Sequence, residues 1–183
     1  MPTFGFSQEE LNDVVAYFAH EEVWHTAVDR PLWDKVASDP EYHALWRRIW
    51  HDDFQPSPDD PTPAEALKIE KEQIARAARV VTKLRSRGVK VLFVRLPSNG
   101  EYLAFEESHF PRMRTWDGLL AATAAPGIHF EDYPELQGYY LPEWSHMTRA
   151  EAERFTAALY GIIQREFWGP NASQAAPAGA AAR

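Results

Sequence analysis

Hydrophobic positions recur at helical spacing in several stretches of the chain and run almost unbroken in one short stretch. Leu11, Val14, Val15 and Phe18 share a face behind Ser7 and Glu10, whose separation is that of a capping box, so a helix is expected from about 8 to 24. Tyr42, Leu45, Trp46 and Ile49 recur at 3–4 spacing over about 41–50, and this aromatic stripe is expected to face a core. Leu67, Ile74, Ala78, Val81 and Leu84 line one side of a longer stretch, about 63–86. Thr62, Pro63 and Glu65 supply its N-cap, N1 proline and N3 acid, and Gly88 stands where a left-handed C-cap is wanted.

The unbroken run is Val89 to Leu96, of the type buried on both faces of a parallel sheet. A turn follows at 97–100, then short helical stretches near 101–108 and 112–124, and a second strand at 128–131. Thr148 with Glu151 has the spacing of a capping box and opens a last helix that carries Phe155, Leu159, Ile162 and Ile163 on one face. Helix, strand, helix, strand, helix in this order predicts an α/β fold, three-layer, with a small parallel sheet flanked by helices and an N-terminal helical segment. The expected divisions are 1–52 for that segment, 53–63 for a Pro/Asp-rich loop, 64–168 for the α/β part and 169–183 for a disordered tail of low complexity. Two strands are few for an autonomous sheet, which leads to the expectation of a protein partner covering the sheet edge.

Composition narrows the function. The 183 residues carry 19 Lys+Arg against 27 Asp+Glu, a formal charge of −8. The basic residues are interspersed with acids, which argues against a nucleic-acid partner. No cysteine is present, so thiolate nucleophiles, thiolate metal sites and disulfides are excluded. No apolar run approaches the roughly 18 residues of a membrane span, and the start has neither a basic n-region nor an apolar h-region. No cofactor is expected, and localisation is left unknown.

In open α/β sheets, chemistry gathers at the carboxyl ends of strands, here 95–100 and 132–148. The second stretch holds Glu143-Trp-Ser-His146, a carboxylate three residues before a histidine and just ahead of a helix. Such a turn lets the acid fix the imidazole tautomer while the other ring nitrogen faces a nucleophile.

Over about 64–163, the order of elements resembles the C-terminal part of an SGNH/GDSL-type hydrolase of the branch associated with cell-envelope and polysaccharide acyl groups. The Val91-Leu-Phe-Val-Arg-Leu-Pro-Ser98 strand end, the 127–132 strand and the Glu143-Trp-Ser-His146-Met-Thr block carry this resemblance. It implies His146 as general base and Glu143 as its orienter, with Glu in place of the family's usual Asp. It also implies a small-molecule or polysaccharide acyl substrate and an envelope association. The family's Gly-Asp-Ser-like nucleophile block and its oxyanion blocks are absent; Phe4-Gly5-Phe6-Ser7 is the nearest string, and Ser7 is better explained as a helix cap. The resemblance therefore implies a serine ester hydrolase or acyl-transfer module that is incomplete or inactive as this chain, either a fragment or a stand-alone relative. The alternative is a non-catalytic binding or scaffolding protein that keeps the α/β remnant.

A further alternative uses only residues present. Ser98 follows a strand in Pro-Ser-Asn-Gly, half of a nucleophile elbow, and Ser98, Asp132 and His146 run in α/β-hydrolase order. Against it stands the reading that Ser98 and Asn99 simply make a turn. Arg95, at the strand end, is a candidate for binding an anionic substrate or for pairing with a nearby acid. His20 and His25 differ by five positions, about 140° on a helix, and are not expected to share a metal. His51-Asp52-Asp53 reads as a solvated loop, and His43, His109, His129, Trp116 and Trp144 receive no function.

Overall fold

The computed structural model describes residues 34–168. The helix expected near 8–24, His20, His25 and the tail 169–183 lie outside the described residues. The described chain is mostly helical with one two-stranded parallel sheet, compatible with the α/β class. Its elements are α1 (Asp34–Ser38), α2 (Pro40–Asp53), α3 (Pro63–Ser86), β1 (Phe93–Arg95), α4 (Gly100–His109), α5 (Trp116–Thr123), β2 (Gly127–His129) and α6 (Arg149–Ile163). Short 3₁₀ turns at Phe130–Asp132 and Pro134–Leu136 follow β2, and a π-helical turn, Gln164–Trp168, follows α6.

The chain divides into two units. One contains Pro56–Leu92 and Phe110–Ala125, and the other contains 34–55, Phe93–His109 and 126–168. In the first, α3 starts as its sequence predicts. The Thr62 hydroxyl accepts from the Glu65 amide at 3.4 Å while the Glu65 carboxylate accepts from the Thr62 amide at 2.9 Å, so two orphan donors of the first turn are satisfied reciprocally. Ala77 and Val81 are buried on the apolar face of α3. Two side chains tie α3 to the segment around α5. Arg114 Nε donates to both Glu70 carboxylate oxygens at 2.9 and 2.8 Å, and Arg85 donates to the Thr123 and Ala124 carbonyls, each at 2.7 Å. The Arg85 contacts answer carbonyls that the end of α5 leaves open, where Ala124 turns left-handed at φ +49°.

In the second unit, β1 and β2 pair in parallel with Phe93 opposite Gly127, Val94 opposite Ile128 and Arg95 opposite His129. The ladder is shorter than the apolar run 89–96 because its partner is short. Pro126 has no N–H to give and only accepts from the Phe93 amide at 3.0 Å, while Phe130 already belongs to a 3₁₀ turn. Phe93, Ile128, Phe130, Leu136, Leu141, Phe155 and Ile162 are buried.

The stripe of α2 expected to face a core does not. No residue of α2 is buried, and Leu45, Trp46 and Ile49 are 36, 37 and 42 % exposed. The side that engages the rest of the unit is the neighbouring one, with His43, Arg47, Trp50 and Phe54 at 3–4 spacing. Arg47 and Trp50 donate hydrogen bonds while the rings of His43, Trp50 and Phe54 pack, and apolar periodicity overlooks that combination.

Ile128 is fully buried at the centre of the two-stranded ladder. Truncation to alanine removes buried methyl groups and leaves a cavity, so Ile128→Ala is expected to cost about 2–5 kcal/mol of unfolding free energy. A urea titration measures it as a lowered midpoint at unchanged slope.

Candidate active site

The segment from Leu141 to Thr148 connects the second 3₁₀ turn to α6. Leu141, Pro142 and Glu143 are buried, and Thr148 caps α6 by accepting from the Glu151 amide at 3.3 Å. The Glu151 carboxylate does not complete the predicted capping box; it accepts from the Tyr140 amide at 3.4 Å and from Arg154 at 2.7 Å. The α6 cap thus anchors both ends of the segment.

Glu143 is only 1 % exposed, and four donors converge on its carboxylate. Oε1 accepts from the His146 amide at 2.5 Å and from His146 Nδ1 at 2.9 Å. Oε2 accepts from the Trp50 indole Nε1 at 2.5 Å and from the Ser145 hydroxyl at 2.7 Å. An ionised carboxylate is an acceptor only, so the bond to the ring requires the proton on Nδ1 and leaves the lone pair of the neutral imidazole on Nε2. The His146 side chain is 60 % exposed. The result is an imidazole with one nitrogen anchored on a buried acid and most of its ring at the surface.

The electrostatics follow from these contacts. Burial pushes the Glu143 carboxyl upward, but the hydrogen bonds from His146, Ser145 and Trp50 and the nearby imidazolium charge outweigh it, leaving Glu143 below the usual carboxylate value. The hydrogen bond to Glu143 raises His146 above its ordinary value, partial burial opposes the shift, and the carboxylate charge adds to it.

Three further contacts hold the segment in place. Arg47 Nε donates to the Pro142 carbonyl at 2.9 Å, with its guanidinium 5.2 Å from the Trp144 ring centroid. The Asn99 amide donates to the Trp144 carbonyl at 3.0 Å, so the end of β1 and the histidine segment are joined through backbone. Trp144 itself is left-handed at φ +75°, a conformation that costs a non-glycine residue on the order of 1–3 kcal/mol and persists only where its surroundings impose it. Its indole lies against Gly100, at φ +57°, where a Cβ would fall 2.4 Å from the ring. Only glycine fits there.

Two of the other predicted site residues, Ser98 and Arg95, form a separate cluster. Ser98 is buried; its hydroxyl donates to Glu106 Oε2 at 2.7 Å and accepts from Arg95 at 3.1 Å, and Arg95 also donates to Glu106 at 2.5 Å. Arg95 takes the pairing alternative, with a glutamate from α4. Asp132 is exposed at the end of the first 3₁₀ turn. The structure thus brings His146 to Glu143, and Ser98 to Arg95 and Glu106. Sequence reasoning missed Trp50, Arg47, Ser145, Asn99 and Gly100. The signal for the first two was the mixed aromatic and cationic stripe beside the apolar one on α2.

Among the described residues, no group of three or more His, Asp or Glu is placed to hold a metal ion, and no helix is long and apolar enough to cross a membrane. Compared with known proteins, the chain has no significant match to a family model, a curated protein or a solved structure.

Two outcomes follow from the geometry. Gly100→Ala places a methyl group into the Trp144 ring and is expected to lower the melting temperature and perturb the His146 imidazole signals in an NMR spectrum. The second concerns pH. The Glu143 contribution to stability is full above its unfolded value near 4.5 and is lost as pH falls through the lower folded value. That of His146 is full below its unfolded value near 6.5 and is lost as pH rises through the raised folded value. Both act together between these limits. Glu143→Gln is therefore expected to bring the His146 titration down toward its ordinary value and to remove the decline in urea midpoint that accompanies imidazole deprotonation.

Proposed function

We propose that the chain is an SGNH-like ester hydrolase or acyl-transfer module, incomplete as this chain because the serine nucleophile block is absent, in which His146 is the general base and Glu143 its orienter. The observation that carries the reading is the hydrogen bond from His146 Nδ1 to Glu143. A buried, ionised carboxylate holds that nitrogen protonated, and the basic lone pair sits on the opposite side of a half-exposed ring. A neutral imidazole so held takes the proton of a hydroxyl or water as that oxygen attacks an ester carbonyl, and returns it to the leaving alkoxide. The serine of a complete triad lies outside the motif. Ser98 has its hydroxyl engaged with Glu106, which supports a nucleophile from elsewhere, with water as the acceptor when none is supplied.

The substrate class that accompanies this reading is a small-molecule or polysaccharide acyl ester. On the same reading the sheet is the middle layer of a three-layer α/β arrangement, supported by the parallel pairing of β1 with β2 and the helices that connect them in sequence. The rival reading, a non-catalytic binding protein, draws on the exposed Leu45, Trp46 and Ile49 of α2.

Hydrolysis of an aryl acetate by the purified chain tests the proposal. Turnover is expected to rise with pH through the raised His146 titration, because the deprotonated ring is the base, and to fall by about 10²-fold or more in His146→Ala. Turnover retained in Ser98→Ala supports an external nucleophile, and loss in both variants returns that role to Ser98. Equal rates in wild type and His146→Ala, or no turnover at any pH, would overturn the catalytic reading in favour of binding.

A further inference from the structure

The part of the chain that carries the hydrolase resemblance begins near residue 64, yet one of the two donors on Glu143 Oε2 comes from before it. Trp50 lies on α2, and its indole N–H reaches the carboxylate at 2.5 Å, across 93 positions of sequence. The ring is fixed in turn. It meets Tyr102 edge-on at 5.0 Å between centroids and stacks on Phe54 at 6.1 Å, while Phe54 stacks on Phe105 of α4 at 4.3 Å. One turn earlier on α2, Arg47 holds the Pro142 carbonyl, so α2 grips the histidine segment at two points.

We infer that Trp50 is a positioning residue of the His146 site, and that α2 is a working part of it: the indole N–H pins the Oε2 edge of Glu143 so that Oε1 stays aligned on His146. A carboxylate with almost no solvent contact keeps its charge and its rotamer only while its lone pairs are occupied. Ser145 is adjacent to His146 in sequence and moves with the segment, and both Oε1 donors belong to His146 itself. Among the described residues, Trp50 is the one donor on Glu143 that comes from a different element, so it references the acid to the rest of the unit. Charged and titratable groups on the two helices around the Trp50 ring include Arg47, His51 and Asp53 on α2 and Glu101, Tyr102 and Glu106 on α4. His51 is bonded to Glu101 at 2.8 Å, and Tyr102 is affected by the charge of Glu143.

The role assigned to Trp50 rests on the reading of His146 as a base, but its test does not depend on turnover. In the wild-type chain, the Trp50 indole proton is expected downfield in the NMR spectrum and slow to exchange. It should shift as His146 titrates, because both donors share one carboxylate. In Trp50→Phe, which keeps a packed ring and loses the N–H, the Glu143 carboxyl is expected to titrate at higher pH than in the wild type, with the fold verified by circular dichroism. An indole signal that stays flat through the His146 titration would overturn the inference, and this measurement needs no variant to fold. So would a folded Trp50→Phe whose Glu143 titration is unmoved, since that leaves Trp50 as packing only. An absence of esterase turnover removes the catalytic reading without touching either readout.

Discussion

A carboxylate taken out of water is costly, and Glu143 is the most deeply buried charged side chain of the described residues. What makes its position tolerable is a set of four hydrogen bonds, two to each oxygen, drawn from a helix, a hydroxyl, a backbone amide and an imidazole. Each donor is in turn constrained by the acid it serves. The tautomer of His146, the placement of Ser145, the approach of α2 and the course of the 141–148 segment are consequences of one buried anion being kept satisfied.

The surrounding backbone is arranged around the same constraint. Trp144 adopts a left-handed conformation between Glu143 and Ser145 and so reverses the chain tightly enough for the His146 amide and ring to reach the carboxylate two bonds at a time. Holding a tryptophan in that state requires compensation. The Asn99 amide, the Arg47 guanidinium and the Gly100 surface provide it. The contrast with the Arg95, Ser98 and Glu106 cluster is instructive. There, a cation, a hydroxyl and a carboxylate satisfy one another in a closed set at the end of β1, with the serine hydroxyl spent on the acid. At His146, the hydrogen-bonding capacity of the acid is consumed, and among the described residues that of the outer imidazole nitrogen is not.

Much of this was legible in local sequence. The start of α3 follows from Thr62, Pro63 and Glu65, because a cap involves residues within one turn of each other. The approach of Glu143 to His146 follows from their spacing for the same reason. The Thr148 cap was read correctly, but Glu151 was not, since its carboxylate found Tyr140 and Arg154 instead of the cap amide. The aromatic stripe of α2 was misjudged because periodicity counts apolar residues, whereas the side that packs carries an arginine and a tryptophan whose polar atoms are needed. Nothing near Trp50 in the sequence announces a carboxylate 93 residues later.

What the sequence determined alone is therefore the set of short-range facts: where α3 and α6 begin, and that an acid and a histidine three residues apart share a turn. These depend on backbone groups and side chains only a few bonds apart, and the chain has few other ways to satisfy them. Tertiary structure alone decided that Glu143 is buried, that Trp50 and Arg47 reach it and its neighbours from α2, and that Ser98 is given to Glu106. Burial and long-range hydrogen bonding depend on which surfaces meet, and a carboxylate acquires its charge state and orientation from partners that only the packed chain brings within 3 Å.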